Sequence, residues 1–558
     1  MSVLRFMRRK ISGSSLLFKM FLLILLCFGL LQLTLPAPQR PLLNPQQQND
    51  LTDRVLSRKV TVENRRPGKF YQNVIVHFDL KGAPPKVPYF LDLLTLVANS
   101  GATGILLEWE DTFPFTGPLE VARSTDAYSM EEVRTILNHA KKLKLDITPL
   151  VQTFGHLEWI LKLEPFRKYR DNDQYTQVLC LGDSEAVALV KDALDQVIKV
   201  HSEYGIPYFH IGCDEAFQFG NCDASRSWMD VNKAGKEELA LTHMREIALH
   251  VSLKNEGTVV LAWNDMLKSF NAQTVKKLRL GGLIEPVVWD YSEGIVTQNE
   301  MTWQALAHNF QTVWASSAYK GANFPSAQFI DIRHYEQNNR DWIKHKQQHE
   351  RKFTQFRGII ITGWQRYDHM AGLCEILPMG TPSMVLQIET ALSADNPDQS
   401  SIRRRVQEKL NCSDFKVQEL EVVSHRCGFP GFQAYLDFQM GAQNSMKFVE
   451  EELQKNHQIL GWLSPYTRRH GYAQNWYLEQ IRPTVANLKD QLDRSVQALR
   501  RSMSPLFLDN TIDEFIFLSI GQKVEKMAAM IRDLDKLMEV RVWPRRHFPI
   551  KKALLDEL

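Results

Sequence analysis

The chain has 558 residues, 44% of them hydrophobic and 23% charged. That is too long for one ordinary domain and apolar enough for a sizeable core, which excludes a disordered or low-complexity protein. A net charge of +3 excludes a basic nucleic-acid-binding surface, so a neutral partner is expected rather than a nucleic acid.

At the N-terminus, Arg5, Arg8, Arg9, Lys10 and Lys19 precede or flank an apolar run from about Leu16 to Leu35. The run approaches the ~20 residues that cross a bilayer. Its end, Leu33-Thr-Leu-Pro-Ala-Pro-Gln39, offers a poor cleavage site. We therefore expect a cytosolic tail over residues 1–15 and a transmembrane signal anchor over 16–36. The positive-inside rule makes this a type II membrane protein whose remainder faces the Golgi or another secretory lumen. A buried core helix and a nucleocytoplasmic location are the competing readings. Residues 37–68, rich in Pro, Gln, Asn and Arg, read as a stem or linker.

Short apolar runs then alternate with helical patterns. They are 73–79, 104–110, 146–152, 207–213, 258–263, 283–289, 311–316 and 358–364. The stretches Met130–Leu143 and Glu185–His201 are long enough for crossover helices. Strand–helix alternation implies a parallel sheet, and eight such units over residues 69–392 imply an α/β fold, a (β/α)8 TIM barrel. The hydrophilic stretch Ser393–Arg405 separates this barrel from a helical C-terminal region, 393–558. There Val485, Leu488, Leu492, Val496 and Leu499 form one amphipathic stripe and Val524, Met527, Ile531, Leu534 and Met538 another. Arg403–Arg405 reads as a solvated helix face.

The seven cysteines are scattered and contain no C-x-x-C pair, so a zinc ribbon or thioredoxin-type site is not expected. Their pairing is left open, as is self-association into a homodimer. Asn411-Cys-Ser413 is one glycosylation acceptor sequence.

In a barrel of this kind the chemistry lies at the C-terminal ends of the strands. Acids and aromatics cluster there: Asp79, Asp111, His156, Asp214, Glu215, Trp263, Asp265, Trp289, Tyr291, Tyr319 and Trp364. Glycosidic cleavage usually employs two carboxyl groups on opposite sides of the bond. Asp214 and Glu215 are adjacent instead. Neighbours on a regular strand face opposite ways, so both enter one cavity only where the strand runs out into a loop. Two adjacent acids suit a different division of labour, in which one protonates the leaving group and the other orients part of the substrate.

His210-Ile-Gly-Cys-Asp-Glu215 resembles the His-x-Gly-x-Asp-Glu motif of glycoside hydrolase family 20, the β-N-acetylhexosaminidases. Val151-Gln-Thr-Phe-Gly-His-Leu-Glu-Trp159 resembles the family's Gly-His segment after strand three. Trp263-Asn-Asp265, Trp289-Asp-Tyr291 and Trp364 resemble its active-site tryptophan positions. The likeness covers roughly residues 70–390. It implies an exo-acting hydrolase that removes terminal non-reducing N-acetylgalactosamine or N-acetylglucosamine from glycans or glycoconjugates, with retention and no metal or cofactor. The substrate's own 2-acetamido oxygen would be the nucleophile. Glu215 would be the general acid and then base, and Asp214 would accept the acetamido N–H. Tyr319 is the first choice, and Tyr291 the second, to bind the acetamido oxygen. Trp263, Trp289 and Trp364 would wall the pocket. His156 positions Glu215 or a sugar hydroxyl, or is structural; Asp111 binds sugar hydroxyls or tunes Glu215. Better-known members carry a hydroxyl-binding arginine near the end of strand one, where this chain reads His77-Phe-Asp-Leu-Lys81.

Two rivals compete with this reading. A type II glycosyltransferase would use Asp171-Asn-Asp173 to hold a metal–nucleotide. A non-catalytic carbohydrate-binding protein would keep the barrel without the chemistry.

Overall fold

Eight parallel strands close into a barrel in the computed structural model. They are β1 (Asn73–Asp79), β2 (Gly104–Glu108), β3 (Asp146–Leu150) and β4 (Tyr208–His210), followed by β5 (Val259–Trp263), β6 (Ile284–Trp289), β7 (Thr312–Lys320) and β8 (Gln355–Gly363). Each strand pairs with its neighbours in sequence, and β1 pairs with β8 through Asn73↔Gly358 to Val76↔Ile361, which closes the ring. Every expected strand is present. The structure describes residues 45–57, 62, 65–413, 416–418, 421–423, 426–543 and 545–546. The expected anchor over 16–36 lies outside these residues. Among the described residues no helix is long and apolar enough to cross a membrane. The chain divides into two units, residues 1–49 and 50–558, and the barrel belongs to the second.

The barrel interior is a packed core, as its strand-derived side chains require. Ile75, Leu106, Leu150, Tyr208, Leu261, Val287, Trp314 and Ile360, one from each strand, meet there with Trp263. Their strand neighbours alternate outward; Val74, Val76, Ile105 and Leu107 pack against the surrounding helices. Truncating one such buried leucine or isoleucine to alanine costs about 2–5 kcal/mol.

Local sequence starts the crossover helices where expected. Ser129 and Glu132 form a reciprocal capping box at the head of Met130–Lys142. Asp183 accepts from Glu185 N and Ala186 N at the head of Ser184–His201.

Part of the segment read as a stem is helical, Pro45–Ser57. Thr52 in it is fully buried, and Arg245 Nη2 donates to its Oγ1 at 2.7 Å. Beyond the barrel, Gln399–Lys409 forms a helix that buries Ile402 and Val406. Two members of its arginine run are engaged rather than solvated: Arg403 pairs with Glu336 at 2.6 Å and Arg405 with Glu389 at 2.8 Å. The two C-terminal stripes lie on helices Asn475–Met503 and Gln522–Met538, where Val485, Leu488, Leu492, Leu499, Met527 and Leu534 are buried.

This C-terminal region reaches the strand ends. Glu514, on helix Asp509–Ile516, binds Arg366 in the loop after β8, with contacts of 2.5 and 2.7 Å. Arg366 also donates to the carbonyls of Lys81, Gly82 and Ala371.

Candidate active site

The loop leaving β4 explains how two adjacent acids share one cavity. Gly212, Cys213 and Glu215 have φ of 66°, 72° and 47°. Left-handed backbone at these positions breaks strand alternation, so Asp214 and Glu215 both line the pocket. A non-glycine residue holds such a conformation only where its surroundings over-determine it, and this loop is gripped from both sides. A Cβ on Gly155 would lie 2.1 Å from the Asp214 carbonyl oxygen, so no side chain fits there. The hairpin Arg170–Asn172/Tyr175–Leu179 pairs with the His156 segment through Leu157 N to Gln177 O. A disulfide, Cys180–Cys222, then ties that hairpin to the end of the Glu215 loop.

The pocket is lined by Lys81, Gln152, His156, Asp214, Glu215, Trp263, Trp289, Tyr291, Gly321, Ala322, Trp364 and Tyr367. Three aromatic contacts build its wall. Trp263 and Trp364 lie 5.9 Å apart, Trp289 stacks on Tyr291 at 5.4 Å, and Trp364 Nε1 donates to Tyr291 Oη at 3.2 Å. The pocket's mouth carries the half-exposed ring of Tyr367.

His156 bridges the acids. Its Nε2 is 3.2 Å from Glu215 Oε2 and 3.6 Å from Asp214 Oδ2, and its Nδ1 is 3.7 Å from Glu158 Oε1. Burial alone would lower its pKa, but Asp214, Glu158 and Glu215 outweigh that and raise it well above the usual histidine range. Asp214 is buried, and that burial pushes its carboxyl up to about 7 against the opposing pull of His156. Its Oδ1 has no hydrogen-bond partner among the described residues, and neither does the indole nitrogen of Trp263.

Not every expected site residue enters the pocket. Tyr319 is fully buried outside the lining, wedged against Gly363, with its hydroxyl donating to His77 O at 3.3 Å. Tyr319 packs with the helix-layer cluster, at an irregularity where the pairing steps from Ala318↔Thr362 to Lys320↔Gly363 and leaves it without a partner on β8. Asp111 is likewise buried outside the lining. It accepts from Gly82 N at 2.9 Å and lies 3.9 Å from His369.

Lys81, Gln152 and Tyr367 line the pocket beyond the residues expected from sequence. Lys81 stands just past the end of β1, with its ammonium 2.8 Å from Asp79 and 5.1 Å from the Trp364 ring centre. Burial opposes its charge, but Asp79, Glu108 and Glu110 hold its pKa well above the usual lysine value. Its position two residues after an acid at a strand end was the available signal.

Asp171 and Asp173 do not converge on the pocket. Asp171 accepts from Gly220 N and Asn221 N, and Asp173 pairs with Arg167 at 2.6 Å. Both acids of the Asp-x-Asp triplet are thus spent on local structure.

A closed (β/α)8 barrel with two carboxyls, a histidine and an aromatic wall at its strand ends defines the class of barrel glycoside hydrolases. Residues 100–367 match the model of the glycosyl hydrolase family 20 catalytic domain. The chain is 32% identical over 470 residues to human (Homo sapiens) hexosaminidase D, covering 84% of this chain and 95% of that one. It is 37% identical over 344 residues to hexosaminidase D of Bos taurus, covering 61% of this chain and 98% of that one. A crystal structure of a β-N-acetylhexosaminidase from Bacteroides fragilis aligns with a TM-score of 0.45 at 15% identity, over 61% of this chain and 70% of that one. The chain belongs to glycoside hydrolase family 20 and is a glycoside hydrolase.

Proposed function

We propose that the enzyme removes terminal, non-reducing N-acetylhexosamine residues by substrate-assisted, retaining catalysis. The single observation that carries this reading is the Oδ1 of buried Asp214, left without a hydrogen-bond partner among the described residues. A buried acceptor left unpaired is costly, and an acetamido N–H entering the pocket satisfies it. Fixed there, Asp214 aligns the acetamide and stabilises positive charge as it develops on the nitrogen. Tyr291 replaces Tyr319 in the proposed role. Its hydroxyl accepts from Trp364 Nε1 and keeps a proton to donate to the acetamido oxygen. The acetamido oxygen then attacks the anomeric carbon while Glu215 protonates the departing oxygen; in the second step Glu215 takes a proton from water as the water oxygen bonds the anomeric carbon and the acetamido oxygen leaves it. His156 orients Glu215, and the tryptophans cover the apolar faces of the ring. Lys81 donates to sugar hydroxyls in place of the arginine.

The relatives' names support an N-acetylhexosamine substrate. The glycosyltransferase reading loses its metal-binding pair with Asp171 and Asp173. We further infer that the region after residue 36 is lumenal, as a type II anchor over 16–36 requires. Disulfides Cys180–Cys222 and Cys412–Cys427 support that reading, because such bonds persist in oxidising compartments.

The test is hydrolysis of aryl N-acetyl-β-glucosaminide and its galacto epimer with and without chelator. Chelator-resistant turnover, lost in Glu215→Gln, is expected. Sugar binding without turnover would support a lectin-like protein instead.

A further inference from the structure

Two residues that line the pocket are held by one carboxylate that does not line it. Asp265 Oδ2 accepts the backbone N–H of Glu215 at 2.7 Å, and Asp265 Oδ1 accepts the indole N–H of Trp289 at 3.1 Å. Glu215 has a φ of 47°, a conformation that needs external fixing in a non-glycine residue. A charge-assisted bond this short supplies it. The same β5 terminus makes two further ties: Trp263 N donates to Gly212 O at 3.0 Å, and Asn264 Oδ1 accepts from Trp289 N at 3.2 Å. The end of β5 thereby registers the β4 loop against the end of β6.

We propose that Asp265 is a positioning residue for the reaction, one carboxylate setting the proton-donating Glu215 and the sugar-covering Trp289 at a fixed relation. This rests on the reading of Glu215 as general acid. Both oxygens are used, one per donor, so an asparagine cannot replace it. Its amide nitrogen would face one of the two N–H groups, and one bond would be lost. Burial, with the like charge of Glu215, raises the Asp265 pKa against these two bonds.

A misplaced acid has a signature that mere loosening of the fold lacks. A dinitrophenolate departs without a proton, whereas an alkoxide does not. The experiment compares kcat/KM of the purified chain on 2,4-dinitrophenyl and methyl N-acetyl-β-glucosaminides for wild type, Asp265→Asn and Trp289→Phe. Asp265→Asn is expected to lose about 100-fold on the methyl glycoside, on the scale of general acid catalysis, and only a small factor on the dinitrophenyl one. Trp289→Phe, which leaves the bond to Glu215 intact, is expected to lose equally on both, through KM. Asp265→Ser, which keeps one acceptor, gives the same comparison if the asparagine variant does not fold. Equal losses on both glycosides, or none, in the Asp265 variants would reduce Asp265 to a structural role while leaving Glu215 as the acid. A wild type that cleaves neither glycoside would overturn the functional reading, and this proposal with it.

Discussion

Asp214 is buried with one carboxylate oxygen unpaired among the described residues, a constraint that the proposed acetamide would relieve. Its carboxyl is raised to about 7 by burial, with the cationic His156 acting in the opposite sense. If ionised Asp214 is needed to accept the acetamido N–H, log kcat/KM falls as pH drops through about 7. Removing the cation in His156→Gln moves that acid limb to higher pH, and pH–rate profiles of the two proteins check it. The same shift has a stability consequence. The folded state binds the Asp214 proton more tightly than the unfolded state, so stability declines as pH rises from about 4 to about 7. Asp214→Asn removes that decline. Its Tm should match wild type near pH 4 and exceed it above pH 7. At this scale the sequence was partly legible. Asp214–Glu215 stood out because a motif and a strand exit coincide. Tyr319 and Asp111 do not reach the pocket, because facing is set by strand register and by loop hydrogen bonds rather than by nearness to a strand end. Tyr319 sits where the β7–β8 register slips by one residue, a feature that apolar runs do not reveal.

The strands were readable because each is a short apolar run bounded by polar chemistry. Their ends were not. β4 stops at His210 because left-handed Gly212 and Cys213 leave the ladder, although the apolar run continues to Cys213. The hairpin Arg170–Leu179 does not stand out in the sequence, since its stabilising partners are the His156 segment and Cys222, distant in sequence. The role of the C-terminal helices also escaped periodicity, which finds buried stripes but not what the exposed faces grip. Glu514 holds Arg366 two residues beyond Trp364. Breaking that pair leaves a buried guanidinium short of acceptors, so Glu514→Gln should lower stability by about 1–3 kcal/mol in urea unfolding. It should raise KM more than it lowers kcat, because the loop it anchors carries wall residues and not the acid. Unchanged kinetics and stability would detach the C-terminal region from the site.

For the molecule as a whole, the lumenal reading and the catalytic reading can be tested separately. Peptide mapping of the full chain from animal cells under non-reducing conditions should recover Cys180–Cys222 and Cys412–Cys427, with Cys213 and Cys374 as thiols. Exposed Asn411 should carry an endoglycosidase-sensitive glycan that Asn411→Gln removes. Free thiols at all six positions and no glycan would favour the nucleocytoplasmic alternative. In the mechanism we propose, catalysis turns on the substrate's acetamide as nucleophile, placed by Asp214 and Tyr291. The decisive comparison sets an aryl 2-acetamido-2-deoxy-β-glucoside against the matching aryl β-glucoside, alongside inhibition by a thiazoline analogue of the oxazoline. Turnover of the acetamido sugar alone is predicted, with thiazoline binding tighter than substrate by at least ~100-fold. Comparable cleavage of the plain glucoside, with no thiazoline inhibition, would contradict that mechanism.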